Sequence, residues 1–231
     1  MTAIAWLEEA DRFPDINLAL AEPNGLLAAG GDLSRERLVD AYRHGIFPWY
    51  DEGQPILWWS PDPRCVIDPA TFRPSRSLAR RISRREFEVR IDHDFISVIV
   101  ACQLRDGWDS TWITRDMLAA YIDLHDAGVA HSVECYRDGA LVGGLYGLSI
   151  GRLFFGESMF HKVTDASKVA FAQLMQITAE AGCPLVDCQV PNEHLFSLGA
   201  CEMPRADFQA ILADNIDGPP IDWSQRSAIE S

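Results

Sequence analysis

Residues 132–160 read SVECYRDGALVGGLYGLSIGRLFFGESMF, three runs rich in apolar and β-branched residues, interrupted by Asp138-Gly139 and by Gly151. Asp-Gly and a lone Gly between such runs are hairpin signals, so the spacing predicts three strands in an antiparallel meander. Working outward toward the C-terminus, residues from about Asp165 to Ala181 read as a helix with Phe171, Leu174 and Thr178 on one side. It stops at Gly182, two residues before Pro184. The strand LVDCQV (185–190) follows, then a short turn-helix around Asn192–Ser197. Three antiparallel strands and a helix crossing to a further strand make a mixed α/β pattern.

Toward the N-terminus, Thr114 reads as the cap of a helix carrying Met117, Tyr121 and Leu124 at helical spacing, ended by Gly128. Residues Asp94–Leu104 form a second apolar helical pattern running to an Asp106/Gly107 turn. Residues 87–91 (FEVRI) read as a strand and 75–86 as a helix. Ser34 is placed as an N-cap, with Leu33 and Leu38 as a hydrophobic staple, for a short helix over 35–44 closed by Gly45. Between them runs FPWYDEGQPILWWSPDPR (47–64), whose prolines forbid a long regular element. Pro61 to Pro63 marks a boundary between a small N-terminal domain, 1–62, and the rest, 63–231. The expected fold class is α/β (α+β), and the element order of the larger part resembles the acetyltransferase (GNAT) architecture.

The 231 residues include 48% hydrophobic types, enough for one large domain or a small and a medium one. MTAIAWLEEADRF carries acids where a secretory signal carries bases, and no apolar run approaches the ~18 residues a membrane span needs. A cytoplasmic location and no membrane partner are expected. The six cysteines form no CxxC and no zinc-like spacing, which implies neither a disulfide framework nor a metal. A net charge of −14 opposes indiscriminate nucleic-acid binding and favours a cationic partner.

Against that acidity stands RPSRSLARRISRR (73–85), with six arginines. On a helical wheel Arg73, Arg76, Arg80 and Arg84 share one arc, flanked by Arg81 and Arg85, while Leu78 and Ile82 point away. A solvated face is the bland reading. Like charges at i,i+4 repel by a few tenths of a kcal/mol each, and with almost no acids in the face the pattern implies a polyanion partner. Arginine forks match phosphate, so a restricted nucleic-acid footprint is expected.

Trp49, Trp58 and Trp59 lie within eleven residues beside Phe47 and Tyr50, and Trp112 precedes the helix capped by Thr114. Tryptophan is core material by default; on proline-rich loops it also stacks unpaired bases at ~1–3 kcal/mol each. In LVDCQV the two-residue period places Leu185, Asp187 and Gln189 on one face and Val186, Cys188 and Val190 on the other. Asp187 and Gln189 are then either a satisfied polar pair or a functional one, in which Asp187 orients the Gln189 amide toward an amine. Glu157 is a second acid among apolar residues, placed to meet a cation or to cap a turn. Phe154, Met159 and Cys188 are candidates for the wall of an apolar pocket.

The succession GLLAAGGDLS, AYRHGIFPWY, WWSPDPR, TWIT, GGLYG, FFGESMF, ASKVA, VDCQV and SLGA, from about Asn24 to about Phe208, resembles the bacterial leucyl/phenylalanyl-tRNA–protein transferases. The resemblance implies an enzyme, an aminoacyltransferase that moves Leu or Phe from leucyl-tRNA or phenylalanyl-tRNA to the N-terminal Arg or Lys of a protein, creating a degradation signal. It implies a small N-terminal domain on a GNAT-like domain. Trp49 and Trp112 resemble the residues that hold the terminal adenosine, and Phe154, Met159 and Cys188 those of the amino-acid pocket. Glu157, Asp187 and Gln189 resemble the polar groups at the reaction centre. Arg76, Arg80 and Arg84, with the flanking Arg81 and Arg85, fall where the family binds the acceptor stem. The segment HKVTDASK (161–168) departs from the familiar pattern, so His161 and Lys162 take no role. No Q/R-x-x-G-x-G/A loop for coenzyme A is present, so no cofactor is expected. A small-molecule N-acetyltransferase is disfavoured for that reason, and a non-catalytic RNA-binding module would leave Asp187, Gln189 and the apolar pocket without a purpose.

Overall fold

The computed structural model describes residues 4–104 and 112–223. Chain order begins with β1 (Ala5–Leu7), β2 (Leu26–Gly30), α1 (Arg35–Arg43), β3 (Phe47–Pro48) and β4 (Leu57–Trp59). These four strands form one small sheet in the order β1-β2-β4-β3, with β1 parallel to β2 and the other pairs antiparallel. Ser34 caps α1 by accepting the Arg37 N–H, and Leu38 is buried with Leu33 beside it, as a staple requires. The proline-rich stretch holds nothing longer than β4.

The chain then supplies β5 (Arg64–Ile67), α2 (Arg76–Ser83), β6 (Glu88–Ile91), α3 (Phe95–Gln103), α4 (Arg115–Asp126), β7 (Ala130–Arg137), β8 (Ala140–Ile150) and β9 (Leu153–His161). It ends with α5 (Ala166–Glu180), β10 (Val186–Gln189), α6 (Glu193–Ser197), β11 (Cys201–Met203) and α7 (Arg205–Asn215). The seven-stranded sheet has the order β11-β5-β10-β9-β8-β7-β6. All its pairs are antiparallel except β9 with β10, which are joined through α5. This is the mixed sheet anticipated from the meander, helix and strand. Strands β5 and β11 and helix α7 extend it beyond what the sequence pattern suggests. The Asp106/Gly107 turn lies outside the described residues.

Two apolar layers cover the sheet. One contains α1, α3, α4 and α7 side chains such as Leu38, Val98, Tyr121 and Phe208; the other contains the α5 residues Val169, Phe171, Leu174 and Ile177 with Leu78 of α2. Gly143 lets α5 start close to the sheet, because a Cβ there would stand 2.5 Å from the Ala166 Cβ.

Helix α2 is shorter than its arginine run. It ends at Ser83, with Arg84 as C-cap, and Arg85 takes a left-handed φ of 51°. Arg85 therefore leaves the helical phase that the wheel assumed. Ile82, placed away from the stripe, is exposed and not packed.

Candidate active site

Two bulges in adjacent strands make the site. In β9, Ser158 faces Tyr146 and Gly156 faces Gly147, which leaves Glu157 as the extra residue. In β10, Asp187 faces Val66 and Gln189 faces Cys65, which leaves Cys188 as the extra residue. A bulge re-aims the side chains around it. Gln189 completes the turn with φ at 62°, a left-handed conformation that is rare for a residue with a side chain. The pairing of β9 with β10 stops at Asp187 and Phe155. Beyond that rung each strand pairs only with its other neighbour, and a cavity of about 810 Å³ opens between them.

The cavity has an apolar wall that includes Leu145, Met159, Phe171, Leu174, Val186 and Cys188. Glu157 and Gln189 also face it, and Trp49 and Trp112 stand on its rim. Of the three clustered tryptophans, Trp58 is fully buried with its Nε1–H on the Gly30 carbonyl, a structural role. Trp59 donates Nε1–H to the Trp49 carbonyl at 2.7 Å and packs a ring 5.6 Å away. Trp49 itself is 42% exposed, so its face is available to a ligand. The thiol of Cys188 is raised well above the ordinary range by its hydrogen bond with Cys65 and then by burial. It stays protonated and acts as wall, not nucleophile. Phe154 is excluded from that wall: it is fully buried in the core, 5.6 Å from the Trp223 ring, and does not line the cavity.

The polar centre runs in a chain. Arg64 and Asp187, both with no exposed side-chain surface, form a two-pronged pair at 2.8 and 2.7 Å. Arg64 lies between the Phe47 and Phe208 rings, 4.8 Å from each centroid, and donates to the Gly45 carbonyl. Asp187 accepts the backbone N–H of Gln189 at 2.9 Å. This corrects the alternation expected for LVDCQV: after the bulge Gln189 shares the cavity side with Cys188, and Asp187 stays in the core. Asp187 does not hold the Gln189 side chain. That task falls to Glu157, whose Oε1 accepts the Gln189 Nε2–H at 2.7 Å. The Gln189 carbonyl oxygen is left as the acceptor end of the amide.

Glu157 is neither a turn cap nor a surface acid. Its carboxyl lies 2.7 Å from the Tyr42 hydroxyl and 3.0 Å from the Tyr121 hydroxyl, and the two hydroxyls lie 2.5 Å apart. Burial raises its pKa to about 7, and the charge of Asp187 adds to that; the bonds from Tyr42, Tyr121 and Gln189 oppose it. Tyr42 and Tyr121 are themselves raised well above 10, first by burial and then by the Glu157 charge. Arg64, Tyr42 and Tyr121 were invisible as site residues in the sequence. Tyr42 and Tyr121 have the helical spacing of core aromatics, and only the tertiary fold aims their hydroxyls at one carboxyl.

On α2, Arg76, Arg80, Arg84 and the following Arg85 are exposed and form no ion pair among the described residues. Arg81 differs. It is paired with Glu86 at 2.7 Å and with Asp165 at 2.9 Å, acids that lie outside the arginine run itself. Phe72, just before the arginine run, contacts the ring of the cavity-lining Phe171 at 5.7 Å. Among the described residues no His, Cys, Asp and Glu cluster suited to a metal occurs, and no helix is long and apolar enough to cross a membrane.

The family described as "Leucyl/phenylalanyl-tRNA protein transferase" matches residues 66–213, and its N-terminal domain matches residues 31–62. The chain is 56% identical over 218 residues to the leucyl/phenylalanyl-tRNA--protein transferase of Pseudomonas entomophila, covering 94% of this chain and 96% of that one. It is 55% identical over 218 residues to that of Thiobacillus denitrificans, covering 93% and 96%. Among solved structures the likeness is low, as with L-PGS from Bacillus licheniformis at a TM-score of 0.40 and 13% identity, over 72% of this chain and 53% of that one.

Proposed function

Because the chain belongs to the leucyl/phenylalanyl-tRNA–protein transferase family, we propose that the cavity between β9 and β10 is where the aminoacyl ester of a tRNA meets the amino group of a protein. The enzyme is an aminoacyltransferase: it carries Leu or Phe from aminoacyl-tRNA to a protein and forms a peptide bond. The acceptor is an N-terminal Arg or Lys, a match for the net charge of −14, and the product is marked for degradation in the cytoplasm. Residues 1–62 act as the small domain that supplies Trp49 and Tyr42 to a catalytic domain of 63–231.

Trp49 and Trp112 stack on the terminal adenosine. Met159 and Cys188, with Leu145, Phe171 and Leu174, take the amino-acid side chain, and a narrow apolar slot rejects branching at Cβ by ~1–3 kcal/mol. Arg76, Arg80, Arg84 and Arg85 grip acceptor-stem phosphates, while Arg81 fastens α2 to Glu86 and Asp165. Glu157 and Gln189 receive the amine; Asp187, buried against Arg64, holds the strand that carries Gln189. The ester is already activated, so the protein's task is to position the partners and exclude water.

The observation that carries this reading is the Glu157–Gln189 hydrogen bond at the edge of an apolar cavity whose rim bears an exposed tryptophan. Incubation with Leu-tRNA carrying labelled leucine and a peptide beginning with Arg tests it. Label should enter the peptide; label that stays on the tRNA while the tRNA binds would instead fit a non-catalytic RNA-binding module.

A further inference from the structure

Glu157, Tyr42 and Tyr121 present a proton-counting problem. Three oxygen–oxygen contacts join them: Tyr42 to Glu157 at 2.7 Å, Tyr121 to Glu157 at 3.0 Å, and Tyr42 to Tyr121 at 2.5 Å. Oxygens 2.5 and 2.7 Å apart need a proton between them, and 3.0 Å is the outer edge of the O–H···O range, where two facing lone pairs repel. Each tyrosine supplies one hydroxyl proton, which makes two. An ionised Glu157 supplies none, and one contact would then be lone pair against lone pair. A protonated carboxyl supplies the third. Its Oε2–H then donates to Tyr121, Tyr121 to Tyr42, and Tyr42 to Oε1, which still accepts Gln189 Nε2–H.

We propose that Glu157, Tyr42 and Tyr121 form a closed proton-holding ring, in which the Glu157 carboxyl carries the third proton and exchanges it with the reacting amine. The ring has one opening to the substrate. Glu157 lines the cavity, whereas Tyr42 and Tyr121 are fully buried behind it on α1 and α4. The tyrosines are positioning residues, and Glu157 is the group that touches the reacting atoms. Its other titratable neighbours are Tyr146 on β8, which meets the Tyr121 ring edge-on, and Asp187 on β10, already matched by Arg64 of β5. Its own pKa of about 7 lies near the ~8 of a free α-amino group, so transfer between the two is nearly isoenergetic.

The use of this proton in the reaction rests on the assignment of the cavity as the transfer site. The ionised carboxyl takes one proton from the incoming ammonium and closes the ring. The neutral amine attacks the ester carbonyl, and a C–N bond forms. As the bond from carbonyl carbon to 3′ oxygen breaks, the Glu157 proton passes to that oxygen. The nitrogen's remaining surplus proton returns to the carboxylate and leaves to water.

Infrared spectroscopy tests the ring apart from the reaction. The difference between wild type and Glu157→Gln, recorded below and above pH 7, should show a protonated buried carboxyl below about pH 7 that disappears above it. A carboxylate signal throughout overturns the ring whatever the transfer assay shows. The second arm is the pH profile of leucine transfer by Tyr121→Phe and Tyr42→Phe. Each replacement opens the ring and should move the acidic limb by roughly one pH unit, with KM for Leu-tRNA unchanged. A loss of rate equal at every pH overturns the proton role and leaves the tyrosines purely structural. If wild type transfers no leucine yet shows the carboxyl band, the ring stands and the assignment of the cavity falls.

Discussion

Arg64 is the side chain on which both halves of the molecule depend. It takes a carbonyl and a ring from the N-terminal residues Gly45 and Phe47, and a carboxylate and a ring from Asp187 and Phe208. Replacement by Met leaves Asp187 ionised in the core without a partner, which costs roughly 3–5 kcal/mol. Urea unfolding should show that loss; a drop below about 1 kcal/mol would mean that water reaches the carboxylate. Asp187→Ala strands Arg64 in turn and frees the Gln189 backbone N–H. Leucine transfer should fall while the Kd for tRNA holds. Equal loss of both would remove Asp187 from the support of the reaction centre. At the cavity rim, Trp49→Ala should weaken binding of an aminoacylated acceptor-stem RNA by about 1–3 kcal/mol, read directly as Kd.

At the scale of elements, α2 and its C-cap separate the exposed arginines, proposed to bind tRNA, from one fastening residue, Arg81. Triple reversal of Arg76, Arg80 and Arg84 to Glu should abolish most tRNA affinity and flatten the dependence of log Kd on log salt by about 2–3. Arg81→Ala should change stability more than the salt slope, because its partners are Glu86 and Asp165. Unaltered tRNA affinity after the triple reversal would refute the assignment of α2. The elements themselves were legible where local chemistry was strong: Asp138-Gly139 announces the β7–β8 hairpin, Thr114 accepts the Met117 N–H as a cap, and Gly182 follows α5. Strand β5, four residues long and buried throughout, has no alternation to read. The period of two in LVDCQV was right up to Asp187 and failed at Cys188, since a bulge depends on how two strands pair and not on the residues of one. Phe154 shares the apolar layer of Phe171 and Leu174 but packs below the cavity surface against Trp223, a depth that sequence spacing cannot show.

Across the whole molecule, a buried carboxyl of raised pKa ties stability to pH. Glu157 moves from 4.5 to about 7 in the folded chain, so the native state keeps a proton that the unfolded state gives up. Its contribution is fully present below pH 4.5 and is lost as pH rises through about 7. Unfolding free energies measured over that range should fall more steeply for wild type than for Glu157→Gln, by up to about 3 kcal/mol; parallel curves would contradict it. The same residue gathers the fold's separate parts into one centre. A tyrosine from α1, a tyrosine from α4 and a glutamine from β10 converge on a bulge in β9. That convergence lies only in the tertiary structure, whereas the family motifs that surround it were readable in one dimension. The most direct measurement is the single-turnover rate of labelled leucine transfer to an Arg peptide, with Leu-tRNA fully bound, for wild type against Glu157→Gln. The prediction is a rate lower by roughly 10²–10⁴ with tRNA Kd unchanged; a wild-type rate from the variant would contradict the chemistry assigned to this cavity.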